Sequence, residues 1–244
     1  MGSPSSVPRK TSVAHRAVTA AVWPVGILVT GYAYLWRTTP MRRREIDGAW
    51  EEDRPPELAE PVDQTEVQRM EDGNVDYLRR RYRAVIREPR LSAARLMEEI
   101  QGDPNVVVPN SLARFGKTKG EKGRMEVGDE FLIRMPGPWD GPVRVCEVTP
   151  TSFRFITLEG HIEAGQIEWR ARDEADGRVA FEIESWSRPG DLLSQVMHHQ
   201  LRMAKEVQLH MWISVLEKVV KRYGGRRDGP LDMLTRRVDM PVVD

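Results

Sequence analysis

Residues 191–223, DLLSQVMHHQLRMAKEVQLHMWISVLEKVVKRY, decide the fold. Apolar side chains recur from Leu192, Leu193, Val196 and Met197 through Val207, Met211 and Trp212 to Val215, Leu216, Val219 and Val220. That is the i, i+3, i+4, i+7 spacing of a helix with one wide buried face, sustained for about nine turns. Asp191, just after Pro189 and Gly190, stands where an N-cap belongs, and Gly224 with Gly225 supplies the stop. A helix of this length needs a large apolar partner.

The chain upstream offers one. Val127–Met135, Val143–Val148, Phe153–Leu158, Gln166–Arg172 and Val179–Trp186 read as short strands bounded by Gly, Pro or Asp turns. Phe131, Ile133 and Met135 alternate with polar residues, as do Ile167, Trp169 and Ala171, and Val179, Phe181 and Ile183. One face of each strand is therefore apolar and the other rich in Arg and Glu, the pattern of an antiparallel sheet solvated on one side. Asp176-Gly177 is a hairpin signal between the last two strands. Earlier still, Tyr82–Ile86 and Val106–Val108 read as strands. Leu91–Ile100 reads as an amphipathic helix capped near Ser92 and stopped by Gly102-Asp103-Pro104. Strands followed by a long helix predict an α+β domain whose sheet curls round that helix.

The 244 residues carry 37 Lys and Arg against 37 Asp and Glu, a formal charge of +0, so no global basic field points to nucleic acid. The single cysteine, Cys146, excludes an internal disulfide framework. The neutral average hides a polarity. Between Glu45 and Asp76 twelve carboxylates face only Arg54 and Arg69, a net charge of −10, whereas Tyr77–Gly225 carries +3.

Ala17–Trp36, AVTAAVWPVGILVTGYAYLW, has twenty residues without a charge. As a helix it spans about 30 Å, the thickness of a bilayer's hydrocarbon core. Tyr32, Tyr34 and Trp36 sit at one end, and Arg37, Arg42, Arg43 and Arg44 follow. A cleaved signal peptide has a shorter core and a small-x-small site; a buried soluble helix is not apolar on every side. The segment predicts a single-pass anchor, with the folded body on the cytoplasmic side because the flank that follows it is the more basic. The domain organisation expected is a disordered N-terminus over 1–16, a transmembrane helix over 17–37, an acidic tether over 38–76, the α+β domain over 77–225 and a tail over 226–244.

The order of strand, helix, strand meander and long C-terminal helix is similar to the helix-grip fold of the START-like (SRPBCC) superfamily. Val127-Gly128-Asp129-Glu130, Gly160-His161-Ile162-Glu163-Ala164-Gly165 and Phe181–Pro189 resemble a domain-of-unknown-function family within it, over roughly Val127–Tyr223. The resemblance implies a cavity between sheet and helix that holds an apolar ligand, a lipid or other hydrophobic small molecule. Some superfamily members are enzymes, so the fold leaves binding and catalysis both open.

Candidate chemistry is sparse. His161 and Glu163, two apart in a strand, face the same side and form a candidate acid–base pair; the alternative is a hairpin edge with His161 bonded to backbone. His198, His199 and His210 have no metal-ligand spacing, and no metal or cofactor is expected. Arg114–Arg124, RFGKTKGEKGR, contains Gly116-Lys117-Thr118 but lacks the first glycine of a phosphate loop, and reads as a flexible basic loop able to meet anionic headgroups. Phe131, Phe155, Trp169, Phe181, Met197, Met211 and Trp212 are the candidate ligand wall, though the same residues also suit an ordinary core. The function expected is membrane-anchored binding of a hydrophobic small molecule or lipid. The alternatives are a cyclase- or hydrolase-like enzyme using His161 and Glu163, and a scaffold subunit of a membrane complex.

Overall fold

Alternation along residues 77–87 sends Tyr82, Ala84 and Ile86 to one face of a strand and Arg79, Arg81 and Arg83 to the other. The same period carries across a whole sheet. A computed structural model describes residues 39–59, 62–68, 77–135, 140–189 and 200–239, with 189 and 200–207 described by backbone alone. In chain order it contains β1 (Met41–Asp47), α1 (Trp50–Asp53), β2 (Tyr77–Arg87), α2 (Ala93–Gly102), a 3-10 turn (Pro104–Val106), β3 (Arg114–Lys119) and β4 (Glu130–Arg134). There follow β5 (Asp140–Thr149), β6 (Ser152–Thr157), β7 (Glu163–Asp173), β8 (Val179–Pro189), α3 (Gln200–Tyr223), β9 (Arg226–Arg227) and β10 (Leu231–Val238). The strands make one sheet in the order β1-β10-β2-β8-β7-β6-β5-β4-β3, with β9 beside the end of β2. Only β1 with β10 is parallel. The result is a largely antiparallel sheet with few helices, as the pattern of strands followed by a helix predicts.

Register places Tyr82, Ile183, Trp169 and Phe153 in one row across four strands, all on the inner face. Trp212, Val215, Leu216 and Val219 of α3 close that face, together with Leu96, Met97 and Ile100 of α2. The cap expected for α2 is present, with Ser92 Oγ accepting from Arg95 N at 3.4 Å. Asp176-Gly177 turns β7 into β8, Gly177 having φ +79°. Val106–Val108, expected as a strand, instead ends a 3-10 turn at Val106 and leaves it at Val107. Pro104 opens it and the Asp103 side chain caps Asn105 N, so Val107 and Val108 enter the core from a turn. The predicted helix start at Asp191 lies outside the described residues.

Arg114–Arg124 is not a loose loop. Its first half is β3, paired to β4. Lys117, on the inner side, donates to Asp129 Oδ2 and Glu121 O, both at 2.6 Å, and lies 5.2 Å over the Phe131 ring. Local charge density suggests solvation; a buried carboxylate twelve residues away overrides it.

The segments expected to be a tether and a tail each contribute to the sheet, the first through β1 and the second through β9 and β10. Leu231 and Met233 of β10 join the core, and β10 inserts between β1 and β2. The acidic stretch straps the outer face. Asp53, fully buried, pairs with Arg79 at 2.8 Å, and Trp50 packs on Tyr77 with ring centroids 5.7 Å apart. Arg144 donates to the carbonyls of Asp63 and Thr65 at 2.6 and 2.8 Å. Val67 bridges Leu158. Beneath the strap the outer face is a ladder of opposite charges. Arg79 meets Glu184, Arg170 meets Glu182 and Glu184, and Arg83 meets Glu182. Carboxylates that repel one another along the chain are thus neutralised across the sheet.

The apolar segment Ala17–Trp36 lies outside the described residues; among those described, no helix is long and apolar enough to cross a membrane. Arg144 is the test of the strap. It is 1 % exposed and paired at 2.8 Å with Glu130, 3 % exposed. Arg144→Ala takes from that buried carboxylate its closest cation, the exposed Lys119 lying farther off at 3.6 Å, and the expected loss is about 3–5 kcal/mol. Urea denaturation measures it, and limited proteolysis should show faster cutting within residues 62–68.

Candidate binding site at the sheet–helix interface

The run Gly160–Gly165 builds one end of the inner face. Gly160, at φ +91°, makes the turn out of β6. Gly165, at φ +153°, lets β7 pass so close to β8 that an added Cβ would lie 2.0 Å from the Trp186 carbonyl oxygen. Thr157 Oγ1 brackets this glycine, donating to its carbonyl at 3.2 Å and accepting from its N–H at 2.8 Å.

Between the two glycines, His161 and Glu163 part company. His161 Nδ1 accepts from Glu163 N at 3.0 Å, lies 2.8 Å from Glu163 O, and the ring edge abuts Gly141. The imidazole is thus engaged by main chain and not by the carboxylate. Burial holds its pKa below the ordinary 6.5, outweighing the upward pull of the Glu163 charge. The Glu163 carboxylate turns to the helix, accepting from Gln208 Nε2 at 2.8 Å and from Arg80 Nη1 at 3.4 Å. Arg80 also donates to Gln208 Oε1 at 2.9 Å. One polar cluster therefore ties β2, β7 and α3 together from inside.

Arg80 is 8 % exposed and sits on the face that bears Tyr82 and Ala84. Ser185 is its direct cross-strand partner, and Ser187 lies opposite Leu78 and Gly165. Both serines are buried, and their hydroxyls find no hydrogen-bond partner among the described residues; nor do the indole N–H groups of Trp169 and Trp212. The inner face is thus apolar along most of its length and polar at the end where Gln208 meets it.

The predicted wall residues lie together but against one another. Phe131 and Phe155 are 5.6 Å apart, Trp169 and Phe181 6.3 Å, and Trp169 and Trp212 5.8 Å, all centroid to centroid. Met211 is buried in the same core, while Met197, His198 and His199 lie outside the described residues. Cys146, a core residue, donates to Arg154 O at 3.3 Å, and burial raises its pKa to about 11. Sequence reasoning missed Arg80, Ser185, Ser187 and Gln208. A signal existed: Arg80 continues the period of Tyr82, Ala84 and Ile86, and Ser185 and Ser187 continue that of Phe181 and Ile183.

Residues 110–218 match a family model described as Domain of unknown function (DUF1990). The matched span runs from the turn before β3 into α3 and leaves out β1, β2, α2 and β10. None of the curated proteins compared with the chain matches it. Several solved structures are similar to it. A hypothetical protein of Helicobacter pylori, jhp0584, has 9% identity and a TM-score of 0.45, covering 59% of this chain and 86% of its own. The major latex-like protein 151 of Panax ginseng has 13% identity and a TM-score of 0.39, covering 59% and 98%. Ara h 8.0201 has 12% identity and a TM-score of 0.37, covering 59% and 99%.

His161 supplies a pH test. Its folded pKa is depressed, so the unfolded chain binds the proton first as pH falls; its contribution is whole above 6.5 and is lost as pH drops through the folded value. His161→Asn keeps an acceptor for Glu163 N and removes the titration. Below pH 6.5 the variant's unfolding free energy should fall less steeply than the parent's in parallel urea titrations, and equal slopes would refute the assignment.

Proposed function

We propose that this chain binds a small, uncharged amphipathic molecule at the polar end of the sheet–helix interface. The observation that carries the reading is the pair of buried hydroxyls of Ser185 and Ser187, without a hydrogen-bond partner among the described residues, beside the Arg80–Glu163–Gln208 cluster. A buried polar group without a partner costs about 1–3 kcal/mol. Two of them weigh heavily against a total folding stability of roughly 5–15 kcal/mol. A ligand hydroxyl or carbonyl placed there removes that cost. Arg80 and Glu163 neutralise one another, which favours an uncharged head. The apolar body of the ligand would lie toward Trp169 and Trp212, gaining about 25 cal/mol for each Å² withdrawn from water.

The anchor Ala17–Trp36 belongs to the same proposal. Held at a bilayer, with its body on the cytoplasmic side, the domain would meet hydrophobic molecules at a high local concentration without any gain in intrinsic affinity. Binding is favoured over catalysis by a His161–Glu163 pair because the carboxylate turns away to Gln208 and Arg80, while the imidazole has Nδ1 on the Glu163 main chain and its Nε2 edge against Gly141.

Ser185→Ala and Ser187→Ala distinguish a binding site from a filled core. In a site they weaken retention of the ligand while leaving the empty protein as stable or more so, since an unsatisfied hydroxyl is removed. Native mass spectrometry of detergent-extracted chain should show a co-purifying organic molecule in the parent and about tenfold less in the double variant, the effect of losing roughly 1.4 kcal/mol. A parent spectrum free of adducts, with both variants merely destabilised, would refute the proposal.

A further inference from the structure

At one end of the outer face of β3 and β4 the charge ladder fails. Arg114 and Arg134 are direct cross-strand partners, and both are exposed. Neither forms an ion pair among the described residues, although Asp140 lies opposite Arg134 on β5. Like charges facing one another across a sheet are destabilising. On β2, β7 and β8 the same face answers arginine with glutamate, as in Arg79–Glu184 and Arg170–Glu182. At the Arg114–Arg134 pair it does not, although Lys119 and Glu130 further along β3 and β4 keep the rule.

A depression of about 280 Å³ lies at this spot, lined by Arg114, Arg134, Gly116, Thr118, Leu132 and Asn105. Whole ligands occupy pockets of roughly 300–1,000 Å³. The depression suits a small anion or a headgroup and lies on the opposite side of the sheet from the serine end. Its walls are held firmly. The Asn105 side chain clamps the main chain of Phe115 through two hydrogen bonds of 2.8 Å, and Lys117 locks the other face of β3 to Asp129. Two guanidiniums on directly paired residues can bear on one anion, and the N–H groups of a guanidinium match the oxygens of phosphate. Gly116 keeps the strand between them bare; an added Cβ there would meet only Leu132 O, at 3.7 Å.

We propose that Arg114 and Arg134 together bind a phosphate group, carried either by an anionic phospholipid headgroup or by a free phosphorylated molecule. This site does not depend on the reading of the inner face. The test follows thermal unfolding of the full chain by tryptophan fluorescence, for the parent and for the double variant Arg114→Gln/Arg134→Gln. Inorganic phosphate should raise the parent's Tm beyond sodium chloride of equal ionic strength, and the apparent affinity should fall about tenfold or more in the variant. Without phosphate the variant should melt no lower than the parent, because repulsion has been relieved.

A parallel arm places the chain in phosphatidylcholine vesicles with and without phosphatidic acid. Stabilisation of the parent alone by phosphatidic acid identifies a headgroup as the source of the phosphate. A response to inorganic phosphate alone identifies a free ligand. A response no larger than that to sodium chloride, with none to phosphatidic acid, overturns the proposal; so does a response that survives in the variant.

Discussion

The perpendicular contact of Trp212 on Trp169, centroids 5.8 Å apart with planes at 89°, sets the depth at which the long helix sits against the sheet. Much else follows from it. One turn before Trp212, Gln208 comes down on the same helix face and meets Arg80 and Glu163. Toward the other end, Lys218 donates to Val108 O, and the Tyr223 carbonyl accepts from Arg90 N. Nearly perpendicular aromatic pairs place a ring's edge on its partner's face, an arrangement with a definite distance. The helix is therefore located by geometry, where apolar area alone would allow it to slide.

That placement divides the inner face. From β3 to β8 the rings of Phe115, Phe131, Phe155, Phe153, Trp169 and Phe181 pack edge to face or tilted in a continuous cluster. At the end beyond Trp212, the side chains under the helix change to Arg80, Ser185, Ser187 and Glu163. The first region is a core in the ordinary sense. The second carries buried hydroxyls, those of Ser185 and Ser187, that no described residue meets.

The outer face obeys a different rule. Its arginines and glutamates meet mainly across strands, and burial under the strap strengthens their interaction. Arg170 shows the balance: burial works against its charge, but Glu184 and Glu182 more than reverse this and hold its pKa above the ordinary arginine value. Glu168, on the same strand, is raised by burial despite Arg170 and Arg154. The strap itself stays in place through arginines reaching main-chain carbonyls as much as through carboxylates, as Arg144 does at Asp63 and Thr65. Residues 45–59 and 62–68 of the acidic stretch are thereby part of the fold.

Local pattern was enough for the strands from β4 to β8, the Asp176-Gly177 turn, the Ser92 cap and the described part of the long helix, because period and turn chemistry act between residues close in the chain. It also named Phe131, Phe155, Trp169, Phe181 and Trp212 as inward-facing, since alternation alone decides the face. What it could not decide was whatever depends on a partner far along the chain. Lys117 looks solvated until Asp129 is beside it, and the acidic stretch looks like a tether until Arg79 and Arg144 receive it. Residues 231–238 look like a tail until β1 and β2 offer main-chain hydrogen bonds on both sides. The polar end of the interior belongs to the same class: Arg80, Glu163, Ser185 and Gln208 lie on four separate elements, and only the packing of α3 across β2, β7 and β8 makes them neighbours.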